Sequence, residues 1–157
     1  MTAIYVTHDQ TEAFAVGDRL AVMNEGAIVQ IGRPQAVHAH PDTPFVAQFL
    51  GFRNLVPGEV AAGGVVETAA GRFLPAEPTP PAGQQVIVLI KPDAAAMERI
   101  ETATTPAAPN EIQGVVDAVT FRGRFSQVWV AVPGGRLLFE EPGDTPVRVG
   151  DAVRVWL

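Results

Sequence analysis

The first fifty residues alternate between two hydrophobic periods. Ala3-Ile-Tyr-Val-Thr7 is a continuous apolar run, the pattern of a strand covered on both faces of a parallel sheet. Asp9 followed by Glu12 has capping-box spacing, with Asp9 accepting from the open amides of a first turn. Glu12-Ala-Phe-Ala-Val16 continues as a short helix that Gly17-Asp18 stops. Residues 19–24 and 27–32 read as strands joined through Glu25-Gly26, a two-residue hairpin in which Gly26 takes positive φ. Arg33-Pro34 opens the next helix with proline in its first turn, and Pro41 closes it. Phe45, Val46, Phe49 and Leu50 then share one helical face, which ends at Gly51.

From about residue 54 the pattern turns to short β-branched runs between turn signals. Strands are expected near 55–60, 64–68, 85–90, 112–119, 127–132, 136–139 and 152–156, with Pro133-Gly134-Gly135 as a tight turn. Pro75, Pro78, Pro80 and Pro81 mark one stiff connection, and residues 102–109 another. So many short strands suit a small closed or partly open barrel of OB type, with a sandwich as the alternative.

Composition narrows the chemistry. With 157 residues, 47% hydrophobic and 18% charged, the chain is globular and holds one domain or two small ones. Eleven basic residues against seventeen acidic ones give a net charge of −6, which disfavours nucleic acid and anionic membrane surfaces as partners. The absence of cysteine excludes disulfides, thiolate zinc sites and cysteine nucleophiles. No apolar run reaches the ~18 residues that read as a membrane span, and no basic segment precedes the first apolar run. We therefore expect an intracellular protein with no direct membrane insertion. Lys91 is the only lysine.

His8 is the most informative residue. It follows the buried-type run and precedes a helix start, so it falls at the carboxyl end of a strand, where open α/β sheets place ligands. An imidazole there can donate to a phosphate oxygen or position a water, and helix N-terminal amides nearby favour an anion. Position alone leaves open a histidine that merely bridges a strand end to backbone.

The wider string resembles a known family. Thr2-Ala-Ile-Tyr-Val-Thr-His-Asp-Gln-Thr-Glu-Ala13 is similar to the switch-histidine segment of ATP-binding-cassette (ABC) transport ATPases. Gly17-Asp-Arg-Leu-Ala-Val-Met-Asn-Glu-Gly26, Ile28-Val-Gln-Ile-Gly32 and Pro44-Phe-Val-Ala-Gln-Phe-Leu-Gly51 resemble the end of such an ATPase domain. Asn54-Leu-Val-Pro-Gly58 is similar to its junction with a C-terminal regulatory (TOBE) domain found in importers of sugars, polyamines, ferric iron, sulfate and molybdate. Ile90-Lys-Pro-Asp93, Asn110-Glu-Ile-Gln-Gly-Val-Val116 and Val149-Gly-Asp-Ala-Val-Arg-Val155 resemble segments of that domain, the first with Lys and Asp where the family has Arg and Glu.

The resemblance implies an α+β chain: residues 1–53 as the C-terminal end of a P-loop ATPase α/β domain, and residues 54–157 as an all-β, OB-like TOBE barrel. It implies that His8 is both catalytic and nucleotide-contacting, touching the γ-phosphate of ATP and orienting the attacking water. It also implies ATP and Mg2+ as cofactors of the intact subunit, with none bound to this part alone. The implied partners are a second copy of the subunit and transmembrane permease subunits, at the inner face of the cell membrane. A P-loop needs G-x-x-x-x-G-K-[ST], whereas Lys91 lies between Ile90 and Pro92 with no glycine loop before it. No Leu-Ser-Gly-Gly-Gln signature and no apolar strand ending in Asp-Glu are present either, so ATP hydrolysis by these residues alone is not expected.

Weaker candidates read as structural. His38 and His40 form His-Ala-His at a helix end and read as solvated rather than as a metal pair, so no metal site is assigned. Glu140-Glu141 reads as solvated turn chemistry. Arg122-Gly-Arg124 reads as a plain turn, an anion nest being the alternative, and Phe121, Phe125 and Trp129 read as core. A stand-alone OB-like module binding a small anion, and an OB-type nucleic-acid binder, are the competing functions. Neither needs the His8 string. Finally, residues 3–7 without most of their sheet would leave an apolar edge, which invites self-association.

Overall fold

The computed structural model describes residues 2–76, 78–93 and 95–157 and divides the chain into two units, Met1–Phe52 and Arg53–Leu157. In the first, helix α1 (Gln10–Val16) precedes a hairpin of β1 (Leu20–Asn24) and β2 (Ala27–Gly32), followed by α2 (Pro34–Ala39) and α3 (Pro44–Phe49). Glu25 and Gly26 both take positive φ, 47° and 80°, the type I′ pattern whose twist matches the flanking strands. Pro34 opens α2, and Thr43 caps α3 by accepting from the Val46 amide at 3.2 Å. Gln30 of β2 clamps the α2–α3 connection, donating to the His40 carbonyl at 2.8 Å and accepting from the Asp42 amide at 3.0 Å.

Two expectations for this unit are corrected. Residues 3–7 form no strand, and Ile4 and Val6 stand 92% and 88% exposed. A parallel strand exists only when neighbouring strands take up its amides and carbonyls, and no described residue pairs with this run. The apolar face of α3 is also rotated. Val46, Ala47 and Leu50 are buried, whereas Phe45 and Phe49 stack on each other at the exposed rim, ring centroids 6.4 Å apart.

The second unit is all β apart from one turn. Strands β3 (Asn54–Val60), β4 (Val66–Thr68), β5 (Gly71–Phe73) and β6 (Gln85–Ile90) form a sheet in the order β5-β4-β3-β6. Strands β7 (Ala96–Ile100), β8 (Glu111–Phe121), β9 (Phe125–Val132), β10 (Gly135–Pro142) and β11 (Ala152–Trp156) form another, ordered β10-β9-β8-β11-β7. The seven expected strands are all here, with two additions. Ala-Met-Glu-Arg-Ile has helix-favouring composition, but β7 is extended because it pairs with β11, placing Glu98 opposite Arg154; pairing overrides propensity. Strand β5 has only three residues. The strand expected from residue 64 begins at Val66, since Gly63 and Gly64 at φ 80° and 79° hold a turn. Pro133-Gly134, with Gly134 at φ 86°, joins β9 to β10, the arrangement of a type II turn.

Ile112, Val128, Val130, Phe139, Val153 and Val155 are fully buried and meet Phe73 and Ile90 of the other sheet in one core. Two asparagines join the sheets. Asn54 Nδ2 donates to the Leu138 carbonyl at 2.6 Å while its Oδ1 accepts from the Leu138 amide at 2.7 Å, so the side chain serves edge strand β10 as a strand would. Asn110, at φ 62°, accepts from the Leu74 amide at 2.7 Å and donates its own amide to the Arg72 carbonyl at 2.8 Å. The result is a partly open, OB-like barrel. The aromatic expectation fails here: Phe121 is 65% exposed, and Phe125 and Trp129 are only half-buried. Period-two alternation gives the inward places on β9 to Ser126, Val128 and Val130.

Candidate functional site

His8 occupies a bend immediately before α1, and its side chain is exposed. The backbone around it is pinned by short-range bonds. Asp9 Oδ1 accepts from the Glu12 amide at 3.1 Å, the forward arm of the capping box. The return arm goes elsewhere: Glu12 Oε2 accepts from Thr7 Oγ1 at 2.9 Å and Tyr5 Oη at 3.0 Å, while Thr7 Oγ1 accepts from the Asp9 amide at 2.9 Å. His8 thus sits between two fixed residues, with no hydrogen bond from its imidazole to any described residue. A neutral imidazole so placed offers one donor and one acceptor to a ligand. The first-turn amide of Glu12 that the sequence offered to an anion is taken by Asp9.

Helix α1 has no buried residue, and seven residues are too few for a stable isolated helix. Two remote ties hold it. The Gln10 side-chain amide donates to the Phe49 carbonyl at the end of α3. Phe14 meets the His38 ring edge-on at 5.7 Å, and His38 in turn lies 5.0 Å from the Phe52 ring. His38 is exposed, as expected of a solvated residue, and its ring also lies between those of Phe14 and Phe52. His40 caps α2, its amide donating to the Ala36 carbonyl at 2.9 Å. Among the described residues no group of three or more His, Cys, Asp or Glu could hold a metal ion. Gln10, Phe14 and Phe52 carried no signal in the sequence, because their partners lie far along the chain.

The barrel candidates resolve into structure. The tip of the β8–β9 hairpin carries Arg122 and Arg124, but the Arg122 amide donates to Phe125 O at 2.8 Å and its Nε to Gln127 Oε1 at 3.1 Å. The Arg122 amide and guanidinium are thereby engaged within the hairpin. Glu140 and Glu141 are half-buried strand residues of β10, not turn residues. Burial raises both carboxyls above the ordinary range, with Asp93 adding to the effect at Glu140. Glu111, overlooked in the sequence, is 5% exposed. The Gln113 side chain, donating at 2.5 Å, holds its pKa down against desolvation, helped by the Ala108 and Ala107 amides and by Arg154. Arg154 Nε stands 3.2 Å from Glu111 Oε1 as an ion pair outside hydrogen-bond geometry. Gln113 Oε1 accepts from the amide and the hydroxyl of Thr104 at 2.8 and 2.9 Å, so this buried cluster ties the 101–110 segment to β8.

Among the described residues no helix is long and apolar enough to cross a membrane. Residues 98–157 match the TOBE domain family. The chain is 38% identical over 139 residues to an Fe(3+) ions import ATP-binding protein of Rhizobium meliloti, covering 85% of this chain and 35% of that protein. It is 35% identical over 156 residues to an sn-glycerol-3-phosphate import ATP-binding protein of Roseobacter denitrificans, covering 92% of this chain and 42% of the relative. A sulfate/thiosulfate import ATP-binding protein of Chromobacterium violaceum is 35% identical over 161 residues, covering 99% and 43%. The chain thus spans well under half the length of these relatives. A solved structure of the cytoplasmic molybdate-binding protein ModG superposes with a TM-score of 0.53 at 16% identity, covering 67% of this chain and 89% of that one, a likeness of fold alone.

Proposed function

This chain is a homologue of the ATP-binding subunits of ABC importers and carries a TOBE domain at residues 98–157, and from that premise we propose that it is the C-terminal portion of such a subunit. Residues 1–53 close the ATPase domain and supply His8 as the switch histidine, and residues 54–157 form the regulatory barrel. One observation carries the assignment of His8: its backbone is pinned on both sides by the Glu12–Thr7–Asp9 bonds while its imidazole is exposed. An imidazole held so can donate to a terminal phosphate oxygen and orient a water for attack.

The described residues fit the phosphate end of a nucleotide through His8, and ATP with Mg2+ supplies the phosphoryl group in the intact subunit. The chain has no P-loop sequence, so the lysine and glycine loop that cradle the phosphates belong to another part of the subunit, and this part alone turns over no ATP. Two copies of the subunit act together on permease subunits at the cytoplasmic face of the membrane. Barrel-to-barrel contact keeps the pair at high effective concentration while the ATPase domains open and close.

The test is ATP turnover and nucleotide binding by the subunit that includes the P-loop part, with and without His8→Ala. The substitution should lower turnover about 100-fold or more, the usual weight of a positioned proton-transfer group, and leave ATP affinity within a few-fold. Unchanged turnover, or turnover lost together with binding, overturns the role given to His8.

A further inference from the structure

A closed ring of hydrogen bonds surrounds the His8 backbone. The Glu12 amide donates to Asp9 Oδ1, the Asp9 amide donates to Thr7 Oγ1, and Thr7 Oγ1 donates to Glu12 Oε2. Thr7 both accepts and donates, so its two bonds polarise one another. Tyr5 Oη brings a second donor to the same Glu12 oxygen at 3.0 Å. Side chains at i and i+2 converge on one atom when they leave the backbone on the same side, as they do in an extended chain. Ile4 and Val6 then face the other way, where they stand 92% and 88% exposed. Among the described residues no strand pairs with this run, so the side-chain bonds to Glu12 are what remains to hold its shape.

We infer that Glu12 is a positioning residue of the nucleotide site and acts by its reach. Its side chain spans from α1 back to residues 5 and 7 and so fixes the direction in which His8 leaves the backbone. Its catalytic weight rests on the reading of His8 given above, its geometry on the hydrogen bonds alone. Glu12 need not touch nucleotide to do this. An acidic residue in a first turn has a competing task, because its charge favours the helix N-terminus. The two tasks respond oppositely to substitution. Glu12→Asp keeps the charge but is one methylene too short for Tyr5 and Thr7. Glu12→Gln loses the charge but keeps the length and an acceptor oxygen. Reach requires that Asp fails and Gln serves; charge requires the reverse.

Two measurements read the difference. The heteronuclear NOE of the whole 157-residue chain without nucleotide reports the order of the Thr7, His8 and Asp9 amides. ATP turnover by the subunit that includes the P-loop part reports kcat and KM. Glu12→Asp should lower the three NOE values toward those of a frayed terminus, and so should Thr7→Val, which keeps the branched shape without the hydroxyl. Both should cut kcat about 10–100-fold with KM within a few-fold, since a misplacement of about 1 Å costs on that order. Glu12→Gln, with weaker neutral bonds, should keep both order and kcat within a few-fold of wild type. Order kept in Glu12→Asp, or lost in Glu12→Gln, overturns the inference. Order lost with kcat unchanged overturns it too, where His8→Ala does lower turnover. If His8→Ala leaves turnover unchanged, the reading of His8 fails, while the NOE values still decide whether Glu12 holds the bend.

Discussion

Replacing the Asn54 side chain should open the barrel at β10. Its amide makes two bonds to one peptide, donating to Leu138 O at 2.6 Å and accepting from Leu138 N at 2.7 Å, where Asn54 is 1% and Leu138 8% exposed. Asn54→Leu keeps the branched outline of the side chain and strands both backbone groups of Leu138. Each buried group left unpaired costs about 1–3 kcal/mol, and the added apolar burial returns about 1–2 kcal/mol. With two groups stranded, the net loss is then about 0–5 kcal/mol and centres near ~2.5 kcal/mol, a large share of the ~5–15 kcal/mol that holds a domain together. Asn54→Asp keeps shape and acceptor but sets a carboxylate oxygen against the Leu138 carbonyl, so at neutral pH it should cost at least as much.

Urea unfolding followed by tryptophan fluorescence reads this directly, because Trp129 and Trp156 both lie in the barrel unit. With a slope of about 1–3 kcal/mol per molar, Asn54→Leu should lower the midpoint by about 1 M or more. Acid supplies the decisive control. Protonation turns the Asp carboxyl into a donor that can again meet Leu138 O, so Asn54→Asp should approach the wild-type midpoint as pH falls to about 4, near the ordinary Asp range, while Asn54→Leu should not. As a surface comparison, Gln85→Ala removes an exposed amide bonded to Glu59 at 2.8 Å and should cost about 0.5–1.5 kcal/mol at most. If Asn54→Asp matches wild type at pH 7, or fails to recover in acid, the clamp is not what closes the barrel.

Gly114→Ala should part β8 from β9, since its Cβ would stand 2.3 Å from the Ala131 carbonyl oxygen and 2.7 Å from Val130 Cγ1; we expect a loss of about 1–3 kcal/mol or more, read by the same unfolding assay, and a variant as stable as wild type would refute the close approach. The Glu140 and Glu141 carboxyls titrate above the ordinary range, so their contribution to stability is present in acid and lost as pH rises through the raised values. Glu140→Gln should therefore raise the urea midpoint at neutral pH and flatten its decline above the ordinary carboxylate range; an unchanged pH profile would refute it. Glu111 titrates below that range, so its contribution is present at neutral pH and lost as pH falls through the lowered value, and Glu111→Gln should remove that acid-side loss.

What the sequence made legible was local chemistry. The Glu25-Gly26 turn, the Asp9 cap, Pro34 at the start of α2 and Gly51 at the end of α3 each depend on residues within one turn of one another. Strand β11 matched its expected bounds because its alternation has one face buried along its length. Three of the misses share a cause: each depends on a partner far along the chain. The apolar run at 3–7 has strand composition, but a strand is a property of a pair, and no described residue supplies the second member. Strand β7 is the converse, poor in strand formers yet extended because β11 pairs with it. Asn54 stands within a string that marks a family junction, but its physical task depends on Leu138, 84 positions away. His8 shows why a site resists pattern reading altogether. Periodicity finds residues that bury, while a group proposed to meet a phosphate has to stay exposed, so the pattern around His8 fixes only where its backbone goes. The resemblance supplies the chemistry proposed for it, and the bonds among Glu12, Thr7 and Asp9 supply the rigidity that such chemistry requires.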